Sequence, residues 1–185
     1  AADIFVKGDI VNFTDGAIQT TVSITQELSP DTIIVNTSKA YTFAGNGAIV
    51  AGALVKEGAG LLTMSNENSY TGGNYLKGGT VKVSSLSNEN KNTGNLGGVN
   101  EIASKFTMEN GAVLQTTATI TNGSPIRMVG TEGGVINNAA DFNQNKPFSG
   151  TVLTKKGGGW LKTYATGNNL STMVIVDGTV QNLSG

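Results

Sequence analysis

Residues Leu54 to Val83 read LVKEGAGLLTMSNENSYTGGNYLKGGTVKV, and the punctuation of that stretch decides the fold. Short apolar and β-branched runs at Leu54, Leu61 to Met64, Tyr75-Leu76 and Thr80 to Val83 are cut by glycine turns at Gly58 to Gly60, Gly72-Gly73 and Gly78-Gly79. A polar corner occupies Ser65 to Asn68. Strands this short cannot close a core alone, so each must lie on a similar neighbour. The predicted architecture is a solenoid.

The stretch recurs. Leu153 to Val180 contains LTKKGGGWLK and then VDGTV, and Leu54 and Leu153, Gly58 and Gly157, Gly60 and Gly159, Leu62 and Leu161, and Gly79 and Gly178 are each 99 positions apart. The block resembles the autotransporter-associated β-strand repeat of bacterial autotransporter passengers. That pattern is approximately L-x-K-x-G-x-G-x-L-x-L, then N-x-Y-T-G-G, then G-G-T-L. Leu54, Lys56, Gly58, Gly60, Leu62, Met64, Asn68, Tyr70, Thr71, Gly72, Gly73, Gly78, Gly79 and Thr80 match it in the first copy. The second copy lacks the Y-T-G-G portion, with Asn169 where tyrosine would stand. The resemblance implies an all-β fold, a right-handed parallel β-helix, and a secreted or surface-displayed protein. It is nearly silent on activity.

Composition agrees with strands and turns. Glycine is abundant (26) and proline scarce (3), with neither the collagen period nor a disorder composition. The 12 basic and 13 acidic residues are scattered singly, for a net charge of −1. Nucleic acid and anionic membranes need clustered Lys and Arg, so neither is an expected partner. There is no cysteine and no histidine, which removes disulfide staples, Cys metal sites and His- or Cys-based triads. For a chain resembling a passenger, freedom from disulfides suits threading across an outer membrane. No apolar run reaches membrane-spanning length, and the opening AADIFVKG lacks a signal peptide's regions.

A shorter period runs inside the long one. Ser65-Asn66-Glu67-Asn68 recurs as Ser87-Asn88-Glu89-Asn90, and Met64, Leu86 and Met108 are spaced by 22, with Met128 a further 20 on. Taking one coil as about 20 to 25 residues, these four side chains are expected to stack in one interior column. The chain then makes roughly eight coils, or ~40 Å of solenoid at ~4.8 Å per stacked strand. Strands are expected at Ile10 to Phe13, Thr21 to Ile24, Thr32 to Val35, Tyr41 to Phe43, Ile102 to Leu114, Ala118 to Ile120, Ile126 to Val129, Val135-Ile136, Val152 to Lys162 and Met173 to Val180. Ser84 to Gly98 reads as a loop bulging from the coil, Asp141 to Lys146 as a polar corner, and almost no helix is expected. The expected domain is a single β-helix segment over 1–185, part of a longer passenger, with motif copies at 54–83 and 153–182.

Candidates for chemistry are few. Glu67, Glu89, Glu109 and Glu132 lie 22, 20 and 23 residues apart, near one coil each. They are therefore a candidate acidic column of the kind a β-helix glycosidase or lyase would need. Solvated corners beside Asn and Gly turns are the plainer reading. Arg127, between Ile126 and Met128, is expected to point outward by alternation. No G-x-S-x-G singles out a serine, Gly157-Gly158-Gly159 is not a calcium nonapeptide, and Gly94 to Gly98 opens no helix for phosphate. Asn66, Asn68, Asn88, Asn90, Asn110 and Asn137-Asn138 beside turns suggest amide ladders. Tyr70, Tyr75, Trp160 and Tyr164 are candidates for a sugar-stacking platform; that Tyr70 fills the repeat's structural tyrosine position and Trp160 packs on a neighbouring coil is the plainer reading.

The sequence thus predicts a non-enzymatic stalk or adhesin-like passenger segment at the bacterial cell surface, assisting secretion and presentation, with no catalytic, cofactor or metal residues. Carbohydrate-active β-helix enzymes and glycan- or host-protein-binding modules are the alternatives. The expected partners are further coils of the parent chain or a second copy stacked end to end, because no capping element is legible at either end, and a glycan or host surface as ligand.

Overall fold

A computed structural model describes residues 5–184; Ala1 to Ile4 and Gly185, the ends of the expected 1–185 segment, lie outside the described residues. The chain winds as a parallel β-solenoid of eight coils. Its first face stacks β1 (Ile10–Phe13), β3 (Thr32–Asn36), β5 (Ala53–Glu57), β7 (Gly73–Leu76), β9 (Phe106–Glu109), β12 (Ile126–Val129) and the start of β15 (Phe148–Lys156). Its second face stacks β2 (Thr21–Ser23), β4 (Tyr41–Ala44), β6 (Leu61–Met64), β8 (Thr80–Val83), β10 (Ala112–Thr116), β13 (Gly134–Asn138) and the end of β15. The long β15 turns the corner as one strand, and β17 (Asn169–Ile175) pairs with it from Ser149 to Lys155. A third face is built from β11 (Ile120–Asn122), β14 (Phe142–Gln144), β16 (Trp160–Thr163) and β18 (Thr179–Asn182). In the earlier coils that side is joined by single contacts, such as the Leu28–Ile49 bridge. The helical content among the described residues is one 3-10 turn, Ala103–Lys105.

Alternation places the core. On the first face Ile33, Leu54, Phe106, Ile126 and Phe148 are buried at one register level, each stacked on the last except where Asn74 intervenes between Leu54 and Phe106. On the second face Tyr41, Leu62, Val81, Leu114 and Ile136 form a column, and on the third Ile120, Phe142 and Leu161 do. Each apolar side chain is covered by the equivalent one of the coils above and below, which is how strands of three to five residues make a continuous dry interior. Arg127 pairs with Thr107 and Ser149 and faces outward, as alternation predicts.

One register expectation is corrected. Ile10 pairs Thr32, Thr32 pairs Ala53 and Ala53 pairs Gly73, so these coils take 22, 21 and 20 residues. Asn74, however, pairs Phe106, 32 residues on. The surplus is the polar segment after β8, which leaves the coil and folds on itself through an Asn88–Lys91 bridge. The single column of Met64, Leu86, Met108 and Met128 therefore does not form. Met108 does stack on Met128, both above Leu76 on the first face, but Met64 pairs Phe43 on the second, and Leu86 lies in the excursion. Coil lengths of 20 to 22 cannot hold a fixed spacing in phase across an excursion of this size.

Candidate functional site

The acidic column does not assemble. Glu67 follows β6 and Glu89 sits in the excursion, both after the second face. Glu109 ends β9 and pairs Val129, and Glu132 lies in the corner between β12 and β13. The four carboxylates thus divide between two sides of the coil, Glu67 and Glu89 after the second face and Glu109 and Glu132 between the first and second. Partial burial works against the charge on Glu67, yet a 2.8 Å ion pair from Lys91 and hydrogen bonds from Ser85 and Thr93 hold its carboxyl below the usual range. Glu89 is held low by its own backbone N–H and by Asn145 Nδ2 at 3.1 Å. A general acid at neutral pH needs the opposite shift. Among the described residues no three His, Cys, Asp or Glu side chains come together as a metal site would require.

The four aromatics also disperse. Tyr70 is interior, its hydroxyl donating to Asn74 Oδ1 at 2.8 Å and pushed well above the usual tyrosine value by burial. Tyr75 is half-buried on the outer side of the first face. Trp160 and Tyr164 do share the third face, 43% and 46% exposed, and Lys162 Nζ lies 5.7 Å from the Trp160 ring centre while its ammonium pairs Asp141 at 2.6 Å.

The asparagines tie backbone rather than forming long ladders. Asn66 Nδ2 donates to Gly45 O and Gly47 O at 3.0 Å, and Asn68 Nδ2 donates to Asn66 O and Asn95 O at 3.2 and 2.8 Å. Asn110 takes φ 53° at its turn and donates to Lys77 O at 3.2 Å. The amide pair that does stack is Asn122 with Gln144 on the third face, joined at 2.8 Å and interior. Gln144 lies in the stretch that reads as a polar corner, and Asn122 lies beyond the expected strand Ala118 to Ile120.

The residues that sequence reasoning missed are Lys56 and Lys155, equivalent positions of the two motif copies and both fully buried. Alternation gives the signal: Lys56 falls on the same side of its strand as Leu54, and Lys155 on the same side as Leu153. Each chain corner is then built in the same way. After the lysine comes a glycine with positive φ, Gly58 at 67° and Gly157 at 79°, which carries the chain around. Two residues on, Gly60 N donates to Thr37 O at 2.8 Å and Gly159 N to Asn138 O at 3.0 Å, fastening each corner to the coil before it. The coil after is fastened by Lys77 N to Lys56 O at 2.8 Å and Val176 N to Lys155 O at 2.9 Å. Burial pushes the Lys56 ammonium down to about 8, against the opposing charge of Glu57, and burial lowers Lys155 in the same way against Asp177.

The two copies stand on different faces. In the first, β5 is on face one and β6 and β8 on face two; in the second, the end of β15 is on face two and β16 and β18 on face three. No curated protein and no solved structure matches the chain. A family model does match the first of the corners just described: residues 54–83 match the passenger-associated-transport-repeat.

Proposed function

We propose that this chain is a segment of a bacterial autotransporter passenger, secreted or displayed outside the cell, that works mechanically as a non-enzymatic stalk or adhesin-like surface. The observation that carries the reading is the passenger repeat at 54–83 together with the same corner rebuilt at the second copy. A stacked parallel ladder with a dry interior is rigid and offers proteases little free backbone, which suits a stalk. Coils that fold outside the cell would help to draw the remaining chain after them.

The last coil supports further coils of the parent as the partner. Met173 and Ile175 are in register with the fully buried Leu153 and Lys155 but are 37% and 54% exposed, so the interior columns run on into open solvent. Stacking a coil of the same pattern there would bury them and pair the free edges of β17 and β18. At the opposite end Phe5, Val11, Phe13, Val22 and Ile24 line an apolar opening of about 150 Å³.

The coding region around this chain tests the reading. A following series of alternating strands of about ten residues, the mark of an outer-membrane barrel, is expected. A parent gene without such a barrel, whose product fractionates with the cytoplasm, would sink it. Trp160 and Tyr164 favour a glycan or host-protein ligand as a second reading, which requires Trp160 emission to change on titration with a purified surface polysaccharide.

A further inference from the structure

We propose that each copy of the repeat is a staple between two successive coils, in which one buried lysine ammonium shares its three protons between two carbonyls of its own corner and one of the next. Lys56 Nζ donates to Glu57 O at 2.6 Å, to Gly58 O at 2.9 Å and, across the coil boundary, to Gly78 O at 3.4 Å. Lys155 Nζ donates to Lys156 O at 2.8 Å, Gly157 O at 2.5 Å and Asp177 O at 3.2 Å. The acceptors are the residues one, two and 22 positions after the lysine in both cases. An ammonium has three donors and no acceptor, so three carbonyls satisfy it and two do not.

The glycines of the motif belong to the same unit. A Cβ at Gly79 would stand 2.8 Å from Lys56 Nζ and 2.6 Å from Gly60 O, and one at Gly178 would stand 2.6 Å from Lys155 Nζ and 2.7 Å from Gly159 O. The second corner must therefore be a glycine for the first corner's lysine to reach it. This accounts for a repeat that extends over 30 residues when a coil takes 20 to 22: the unit is a junction, and a junction needs parts of two coils. Among the described residues neither ammonium forms an ion pair with a carboxylate, so its direct partners are carbonyl dipoles, with the charges of Glu57 and Asp177 acting at longer range. The first coil does the reverse. There Asp15 Oδ1 accepts from Thr37 Oγ1, Ser38 N and Lys39 N of the next corner.

A directional consequence follows. The first two acceptors are present as soon as the lysine's own corner turns, but the third arrives with the following coil. A stapled coil is complete only when its C-terminal neighbour has docked, so the junctions at Lys56 and Lys155 couple the stability of the two coils they join.

Native-state hydrogen exchange on Lys56→Met and Lys155→Met tests the staple. Met keeps the apolar stem and removes the donors. With Lys56→Met, exchange at Gly60, Lys77 and Thr80, on both sides of the junction, is expected to rise by about tenfold or more, with Gly111 in an unstapled corner unchanged. Lys155→Met should do the same at Gly159 and Val176. Unchanged or slower exchange at these amides overturns the proposal. So does acceleration confined to Gly60 or Gly159, which would reveal a cap internal to one coil. If Lys56→Met fails to fold, Lys155→Met at the last junction carries the test, because loosening a terminal coil leaves the remaining coils intact. In the unsubstituted protein both ammonium groups should give 15N signals protected from solvent exchange, and their absence would also overturn it.

Discussion

Gly158 and Gly159 are neighbours with opposite expected responses to a single methyl. A Cβ at Gly158 meets nothing within 4 Å, and the position is exposed, whereas one at Gly159 would be driven into the Ala140 carbonyl, with its carbon at 2.6 Å and Asn138 Nδ2 at 2.8 Å. Gly158→Ala should therefore stabilise the corner by about 0.4 to 1 kcal/mol, through the lost freedom of the unfolded chain. Gly159→Ala forces backbone against backbone, at ~1–3 kcal/mol for overpacking. It also weakens the Gly159 N to Asn138 O bond of 3.0 Å, for a further ~0.5–1.5 kcal/mol. The difference between adjacent alanines comes to roughly 2 to 5 kcal/mol. The first copy already contains half of this experiment, because Ala59 occupies the position equivalent to Gly158 while Gly60 matches Gly159. Solenoids lose cooperativity along their length, so the measurement is amide exchange in β16 rather than one melting curve. Exchange that changes less than threefold in Gly159→Ala, or rises in Gly158→Ala, would refute the corner geometry.

Two further outcomes are expected. Lys56 has a folded-state value near 8 against an ordinary 10.5, so between those values the unfolded chain binds more protons and stability rises with pH. The burial penalty is fully present below about pH 8 and is relieved by up to ~3 kcal/mol by pH 11. Urea titrations from pH 7 to 11 check this against Lys56→Met, which should lose that part of the slope; equal slopes would contradict it. Gln144→Leu removes the donor to Ser124 O at 3.0 Å and Lys146 O at 2.6 Å and the acceptor for Asn122. Stranding these interior groups should cost ~2–4 kcal/mol, read as faster exchange in β11 and β14, and a silent variant would mean the amide pair is not needed.

The sequence carried the coil count and most strand positions because glycine corners and period-two alternation are local signals. Phase is not local. The Met64, Leu86, Met108 and Met128 spacing looked like one column, yet an excursion after β8 shifts every later residue relative to the earlier coils. The same shift separates Glu67 and Glu89 from Glu109 and Glu132. Tyr70 was readable as a packing residue from its place in the motif, while the exposure of Trp160 was not, because alternation sets its side but not what lies beside it. Lys56 was hidden for a different reason. A lysine is read as surface by default, and the contrary signal, its sharing a parity with Leu54 and its recurrence as Lys155, had to outweigh that habit.

The rotation of the motif by one face shows what its residues encode. If L-x-K-x-G-x-G specified a particular side of the solenoid, β6 and β16 would stack on the same face, and they do not. What the copies share is the corner itself: lysine within, glycine turning at positive φ, a bond down to the previous coil and a bond up to the next. Nothing in that set refers to the other two corners of the coil. The face on which it lands is fixed by how many corners the intervening chain makes. A corner of this kind can therefore sit anywhere around the coil without disturbing the stack, provided the following coil brings its glycine to the same corner. That proviso ties the position of Gly79 to Lys56, and of Gly178 to Lys155, more tightly than either pair is tied to the rest of its own coil.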